Sequence, residues 1–480
     1  MIKPHQNKTR WMIAFISVVI FAICGCMPFE PGTLGTVTPR STRIPTLRAS
    51  ATPDEFATLA ADLKVSPGVL AGTELTFWHP LTGKSADVLN QMVNEFNQMN
   101  PYGIFVTPTS YYGEGDFLYA VENSLREGSS LPSLVAASPD QLNYWQIETG
   151  KILDLAPYFS DPSVGLTDQQ VADLFPSFFP RETIPETRFG IPFYRSGSVL
   201  FYNQTWANEL GFSDPPITVE EFENQACAAA EANAGDKIRS NDGTGGWFID
   251  TAWQSAVNWL KVFGFSKLGP GSEGNNFSFS VPEAEKTLQF LKELNDKGCA
   301  WTGRKTDPLE YFAARQALFY SAALEDIDPQ VKTNARLGSL DMWIPIAYPD
   351  QSGLGGILTS GYDFGVFQAD ARSQMAAWLF IKWMMEPSRH ARLVAADTTF
   401  PLSFSEIAAL GTLGEENLQW QQALGFISQV VEAPDTPDWW MVRRILEDAV
   451  WKSLQPNVTE ADLPIILREL DATISEVLAR

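Results

Sequence analysis

The sequence predicts an α/β protein in which one lobe alternates strands and helices, a helix-rich lobe is inserted, and the chain then returns. Three observations carry this. Residues 74–150 read βαβαβα, an order that implies a parallel sheet with right-handed crossovers. Residues 204–321 hold several capped helices around short strands. Residues 362–385 resume a strand followed by a long apolar helix.

The elements follow in order. Leu75 and Phe77 alternate with polar neighbours until Pro80 stops the strand Glu74–His79. Val88, Met92 and Phe96 recur at helical spacing over Ser85–Met99, and Asn100-Pro101 ends that helix. Gly103–Thr107 is a second strand. Asp116 is expected to cap a helix that closes at Gly128. Ser133–Ala137 is a third strand, and the helix Pro139–Thr149 closes at Gly150. Arg188–Asn203 reads as extended chain crossing the molecule. Thr218 with Glu221, and Ser280 with Glu283, form capping boxes before helices. Asp242–Trp247 reads as a tight polar loop before a helix over Thr251–Phe263. Leu318–Ser321 and Tyr362–Phe367 are strands, Arg372–Met385 is an apolar helix, and further helices fill 417–431 and 438–480.

Composition bounds the function. With 34 basic and 57 acidic side chains the net charge is −23, which argues against nucleic acid as a partner. Three histidines, His5, His79 and His390, leave no multi-histidine metal centre, so no metal and no cofactor are expected. His390 is placed at the surface. Fifteen tryptophans point to a ligand with an apolar face.

The N-terminus reads as an address. Lys3, Lys8 and Arg10 precede the apolar run Trp11–Ile23, too short for a stable anchor and suited to a secretory signal. Cys24-Gly-Cys26 follows, in the manner of a bacterial lipobox. Residues 1–25 are then a lipoprotein signal and Cys26 the lipidated first residue. A Pro/Thr/Ser-rich tether occupies 26–70. Cys227 and Cys299 remain as an even pair in an exported chain, expected to bond, with two free buried thiols as the alternative. Domain limits fall at 71–185 for the first part of lobe 1, 186–345 for lobe 2 mainly, and 346–480 for the return and the C-terminal helices.

No motif for catalysis is present. Gly83-Lys84-Ser85 lacks the earlier glycine of a phosphate-binding loop, and there is no GxSxG, HExxH, CxxC or EF-hand pattern. The chain reads as a non-enzyme. A surface glycoside hydrolase, which would need a carboxylate pair across a cleft, is the competing reading, and a sensing subunit of a receptor is a third.

Several stretches resemble one family. Leu75-Thr-Phe-Trp-His79, Glu95-Phe-Asn97, Gly190-Ile-Pro-Phe193 with Val199–Asn203, Glu209–Phe212 and Pro215–Phe222, Lys297–Trp301 and Ala376–Trp383 are similar in kind and order to the family 1 extracellular solute-binding proteins of ABC sugar importers, the maltose-binding class. The resemblance implies a two-lobe periplasmic-binding-protein fold of type II, each lobe a mostly parallel sheet flanked by helices, with ligand in the cleft. It also implies capture of a mono- or oligosaccharide and delivery to ABC permease subunits by an extracytoplasmic monomer, held by its lipid at the outer face of the cytoplasmic membrane or at the cell surface.

Ligands of parallel sheets bind at the carboxyl ends of strands. This selects Trp78 and His79 after the first strand, Tyr111, Tyr112 and Glu114 after the second, and Asp140 after the third. Lobe 2 offers Trp253 after the Gly-rich loop. Ser321 and Tyr362 stand where similar proteins line the cleft, Arg195 lies at the crossover, and Trp440 is taken from the Trp439-Trp440 pair.

Overall fold

A computed structural model describes residues 69–179, 187–265, 277–302, 308–350 and 356–479. The signal segment, Cys26 and most of the tether lie outside these residues. Among the described residues no helix is long and apolar enough to cross a membrane.

The chain opens with β1 (Glu74–His79), α1 (Gly83–Met99), β2 (Phe105–Ser110), α2 (Gly113–Glu127), β3 (Leu134–Ala137) and α3 (Pro139–Thr149). β1 pairs in parallel with both β2 and β3, as a right-handed crossover order requires. α1 buries Leu89, Val93 and Phe96 on one face against the sheet. Asp116 does not cap α2. The helix begins three residues earlier, where Gly113 turns the chain with φ 84°, so Asp116 sits in its first turn.

β4 (Ile191–Asn203) is the crossing strand and is buried along its whole length. α4 (Val219–Gly235) follows, capped by the reciprocal Thr218–Glu221 box. β5 (Gly245–Phe248) replaces the expected polar loop. A Cβ on Gly246 would meet the Cys299 carbonyl at 1.8 Å, so only glycine lets this strand press so closely on its neighbours. α5 (Trp253–Val262), α6 (Pro282–Asp296), β6 (Ala300–Trp301), β7 (Ala317–Ala323) and β8 (Trp343–Ile346) complete the second lobe's middle. Ser280 makes no cap. Its backbone N–H donates to Asp471 at 2.9 Å, and α6 starts with Pro282 at its head instead.

β9 (Ile357–Val366), α7 (Ala371–Met384) and α8 (Pro387–Asp397) return to the first core, and β10 (Val430–Glu432) adds in parallel to β9. α9 (Trp439–Ser453) and α10 (Leu463–Leu478) pack instead with the second core, through Val442, Leu446, Ile466 and Leu470. His390 is buried rather than at the surface. Pro387 opens α8 directly after α7, which turns His390 inward, where Nε2 lies 2.6 Å from the Phe193 carbonyl and Nδ1 3.0 Å from Glu406.

The strand order is β2-β1-β3-β9-β4-β7-β5-β6. Ile191–Gly197 of β4 pairs antiparallel with β9, and Ser198–Tyr202 pairs with β7. One strand thus belongs to both lobes, and its midpoint, Arg195 to Ser198, is where one sheet hands over to the other. Cys227 on α4 and Cys299 before β6 are disulfide-bonded, with Cα atoms 4.3 Å apart.

Candidate ligand cleft

The handover of β4 makes the floor of a cavity. Tyr194, Arg195 and Ser196 stand opposite Tyr362, Gly361 and Ser360 in the β4–β9 register. The strands touch closely here, since a Cβ on Gly361 would fall 1.8 Å from the Tyr194 carbonyl oxygen. The cavity measures about 160 Å³, and the crossover residues, the head of α3, the head of α9, Trp253 and Glu325 close around it. That is close to the roughly 150 Å³ that holds one benzene ring. A second chamber of about 510 Å³ lies on the far side of Tyr194, Tyr362 and Glu325, which line both spaces, and opens toward Lys84, Asp328, Lys332 and Asp397.

Charge in the cavity is ordered by ion pairs. Arg195 donates through Nη2 to Asp363 at 2.6 Å and through Nε to Glu432 at 3.2 Å, and its Nη1 reaches the carbonyls of Tyr194 and Tyr362. Burial works to lower the Arg195 pKa, but the two carboxylates outweigh it and hold the guanidinium charged. Arg443 donates to Glu114 at 2.8 Å and lies over the Trp253 ring, 5.4 Å from its centroid. Burial opposes its charge too, and Glu114 and Asp140 restore it.

Asp140 is only 2% exposed. Burial raises its pKa, partly countered by Arg443. Asp140 lies within hydrogen-bond reach of its neighbour Ser138 at the cavity, and the Nε1 of Trp439 is buried there without a hydrogen-bond partner. A buried donor without a partner is costly unless something enters and pairs with it. Glu325 accepts from Ser196 Oγ. Burial, reinforced by Asp326 and opposed by Ser196, pushes its pKa up to about 7. Trp253 and Trp439 meet edge to face, 5.7 Å apart, as an aromatic wall.

The structure brings Glu114, Asp140, Arg195, Trp253 and Tyr362 together around this cavity. Six other sequence candidates lie outside its lining. Trp78 packs edge to face on Tyr111, 5.3 Å away, in a small core on the outer face of the first sheet. His79 points to the opposite face beside Phe77, fully buried, and burial lowers its pKa to about 4. Tyr112 is 90% exposed, because α2 starts just after it and turns it outward. Ser321 shares a strand face with Phe319 and is buried among Trp247, Ser255 and Tyr348, hydrogen-bonded to all three. Trp440 packs on Tyr144, 5.6 Å away, whereas its neighbour Trp439 faces the cavity.

Sequence reasoning missed Glu325, Glu432, Trp439 and Arg443. One signal existed for the last two. Trp439 and Arg443 are four residues apart on α9 and so share a face.

Residues 91–439 match the model of a family described as bacterial extracellular solute-binding protein. The sn-glycerol-3-phosphate-binding periplasmic protein of Salmonella typhimurium is 26% identical over 266 residues, 53% of this chain and 57% of that protein. The chain therefore spans little more than half the length of the curated relatives it matches. Among solved structures, the sugar-binding protein MalE from Xanthomonas citri superimposes with a TM-score of 0.69 at 19% identity, over 85% of this chain and 98% of that one. UgpB from Mycobacterium tuberculosis, in complex with glycerophosphocholine, gives 0.68 at 14% identity, over 85% and 100%. These likenesses establish the two-lobe fold.

Proposed function

Because the chain belongs to the bacterial extracellular solute-binding proteins, the substrate-binding components of ABC importers, we propose that it captures a mono- or oligosaccharide between its lobes and delivers it to a permease. The observation that carries this reading is the cavity at the β4 handover, where tryptophan rings and buried polar side chains line the same space. A sugar offers the matching surfaces, an apolar C–H face and a rim of hydroxyls. Residues held to bind it are Glu114, Asp140, Arg195, Trp253 and Tyr362, with Trp439 beside them. Hinge closure about β4 and β9 traps the ligand and presents a distinct surface to the permease. Cys26 carries the lipid that keeps the protein at the membrane. No chemical step is assigned to the cleft.

Related proteins are named for glycerol phosphate and glycerophosphocholine. Against a phosphate in this cleft stands the state of its two arginines, both already held by carboxylates. The test is a thermal-shift panel on the full chain with neutral sugars, polyols and glycerol 3-phosphate, with product analysis of each sample. A rise in melting temperature with a recovered, unaltered sugar is expected, since a ligand that binds only the native state stabilises it. A response to glycerol 3-phosphate alone would overturn the carbohydrate assignment, and cleaved sugar would overturn capture.

A further inference from the structure

The two chambers can be read as one charge ledger. Among the described residues, four basic side chains line them: Arg195, Arg443, Lys84 and Lys332. Each is already in an ion pair. Arg195 meets Asp363 and Glu432, Arg443 meets Glu114, and both lysines meet Asp328. Three lining carboxylates, Asp140, Glu325 and Asp397, are in ion-pair contact with no base. An anionic ligand would have to displace a carboxylate to find a cation. A neutral sugar would leave these carboxylates without a cation, and burial already shifts Asp140 and Glu325 toward taking up a proton instead. A cation would pair with them.

The seat for that cation is at the junction of the chambers. Glu325 lines both, and Tyr194 and Tyr362 flank it with ring centroids 5.9 Å apart. Aromatic faces attract cations, more strongly where water is excluded. Tyr194 Oη donates to Asp397 at 3.0 Å, which places a second carboxylate beside the junction. Ser196 donates to one Glu325 oxygen, Oε2. At the other end, Asp140 lies near Arg443, so that end is the more nearly balanced.

We propose that the ligand is a polyhydroxylated compound bearing one protonated amine, such as an amino sugar, and that Glu325 receives the amine beside the Tyr194–Tyr362 pair. This rests on the saccharide-capture reading above and narrows its substrate class.

The test is titration calorimetry on the full chain with matched probes: glucosamine, N-acetylglucosamine, glucose and glucose 6-phosphate, and the disaccharides of chitosan and cellulose. The amine form is expected to bind at least about tenfold tighter than its neutral counterpart, the scale of one charge-assisted hydrogen bond. In Glu325→Gln that preference should fall below about twofold, and Glu325→Asp should keep part of it. If Glu325→Gln does not fold, the preference of the wild-type chain for amine over acetamide still decides. Equal or tighter binding of the neutral sugars overturns the amine while leaving saccharide capture intact. Tighter binding of glucose 6-phosphate overturns the charge argument. Binding of none of the saccharides overturns both readings together.

Discussion

Arg195 shows how much of the site rests on single side chains. It is buried at the point where β4 leaves one sheet for the other, and Asp363 on the facing strand answers its charge at 2.6 Å. Breaking such a pair leaves a buried charge without a partner and costs about 3–5 kcal/mol. Arg195→Met is therefore expected to lower the denaturant midpoint strongly, and the double variant Arg195→Met/Asp363→Asn should lose less than Arg195→Met alone. Glu325 works in the opposite sense. Its pKa is raised from the usual carboxyl range to about 7 by burial and by Asp326. The folded state then binds a proton that the unfolded state has released, so stability falls as pH rises from about 4.5 through 7. Glu325→Gln should raise the melting temperature at pH 8, and the gain should fade toward pH 4.5. A gain that grows on acidification would refute this. Residues selected at strand ends divided by their neighbours. Asp140 and Glu114 reached the cavity because helices begin beside them. Tyr112 did not, because no local pattern says which way a loop side chain turns.

At the scale of elements, the strands and helices of the first lobe were legible because Phe77, Leu89, Phe96 and Val121 repeat at plain periods of 2 and 3.6. β5 was not. Gly245-Gly246-Trp247 has the composition of a turn, and only the approach of the Cys299 carbonyl explains why a strand needs glycine there. Gly246→Ala should consequently destabilise by at least the 1–3 kcal/mol typical of overpacking, read as a fall in melting temperature. The nearby Cys227–Cys299 bond closes 72 residues, so reduction should lower stability by about 4 kcal/mol in the chain-entropy picture. A chain whose urea midpoint is unchanged by reductant would contradict that role. The same close contacts explain why Ser321 was misplaced. Strand alternation gives two faces, and nothing within Leu318–Ser321 says which face is the cleft.

For the whole molecule, the cleft is a product of topology. β4 and β9 pair with each other at the floor, then run on to different partners, and the residues that close the cavity come from opposite ends of the chain. Glu114 and Arg443 meet across 329 positions of sequence, and Lys84 and Asp328 across 244. Such partners carry no mark in the sequence, which is why Arg443 and Glu325 came to light only in three dimensions. On the proposed reading, ligand is held between the lobes at Trp253, and not on the exposed strand-end loop that carries Tyr112. Titration calorimetry of one responding saccharide against the wild-type chain, Trp253→Ala and Tyr112→Ala separates the two sites. Loss of the wall that Trp253 forms with Trp439 should weaken binding by about tenfold or more, the worth of a buried aromatic contact, while Tyr112→Ala should change it less than about twofold. Unchanged affinity in Trp253→Ala, with a large loss in Tyr112→Ala, would move the site out of the cleft.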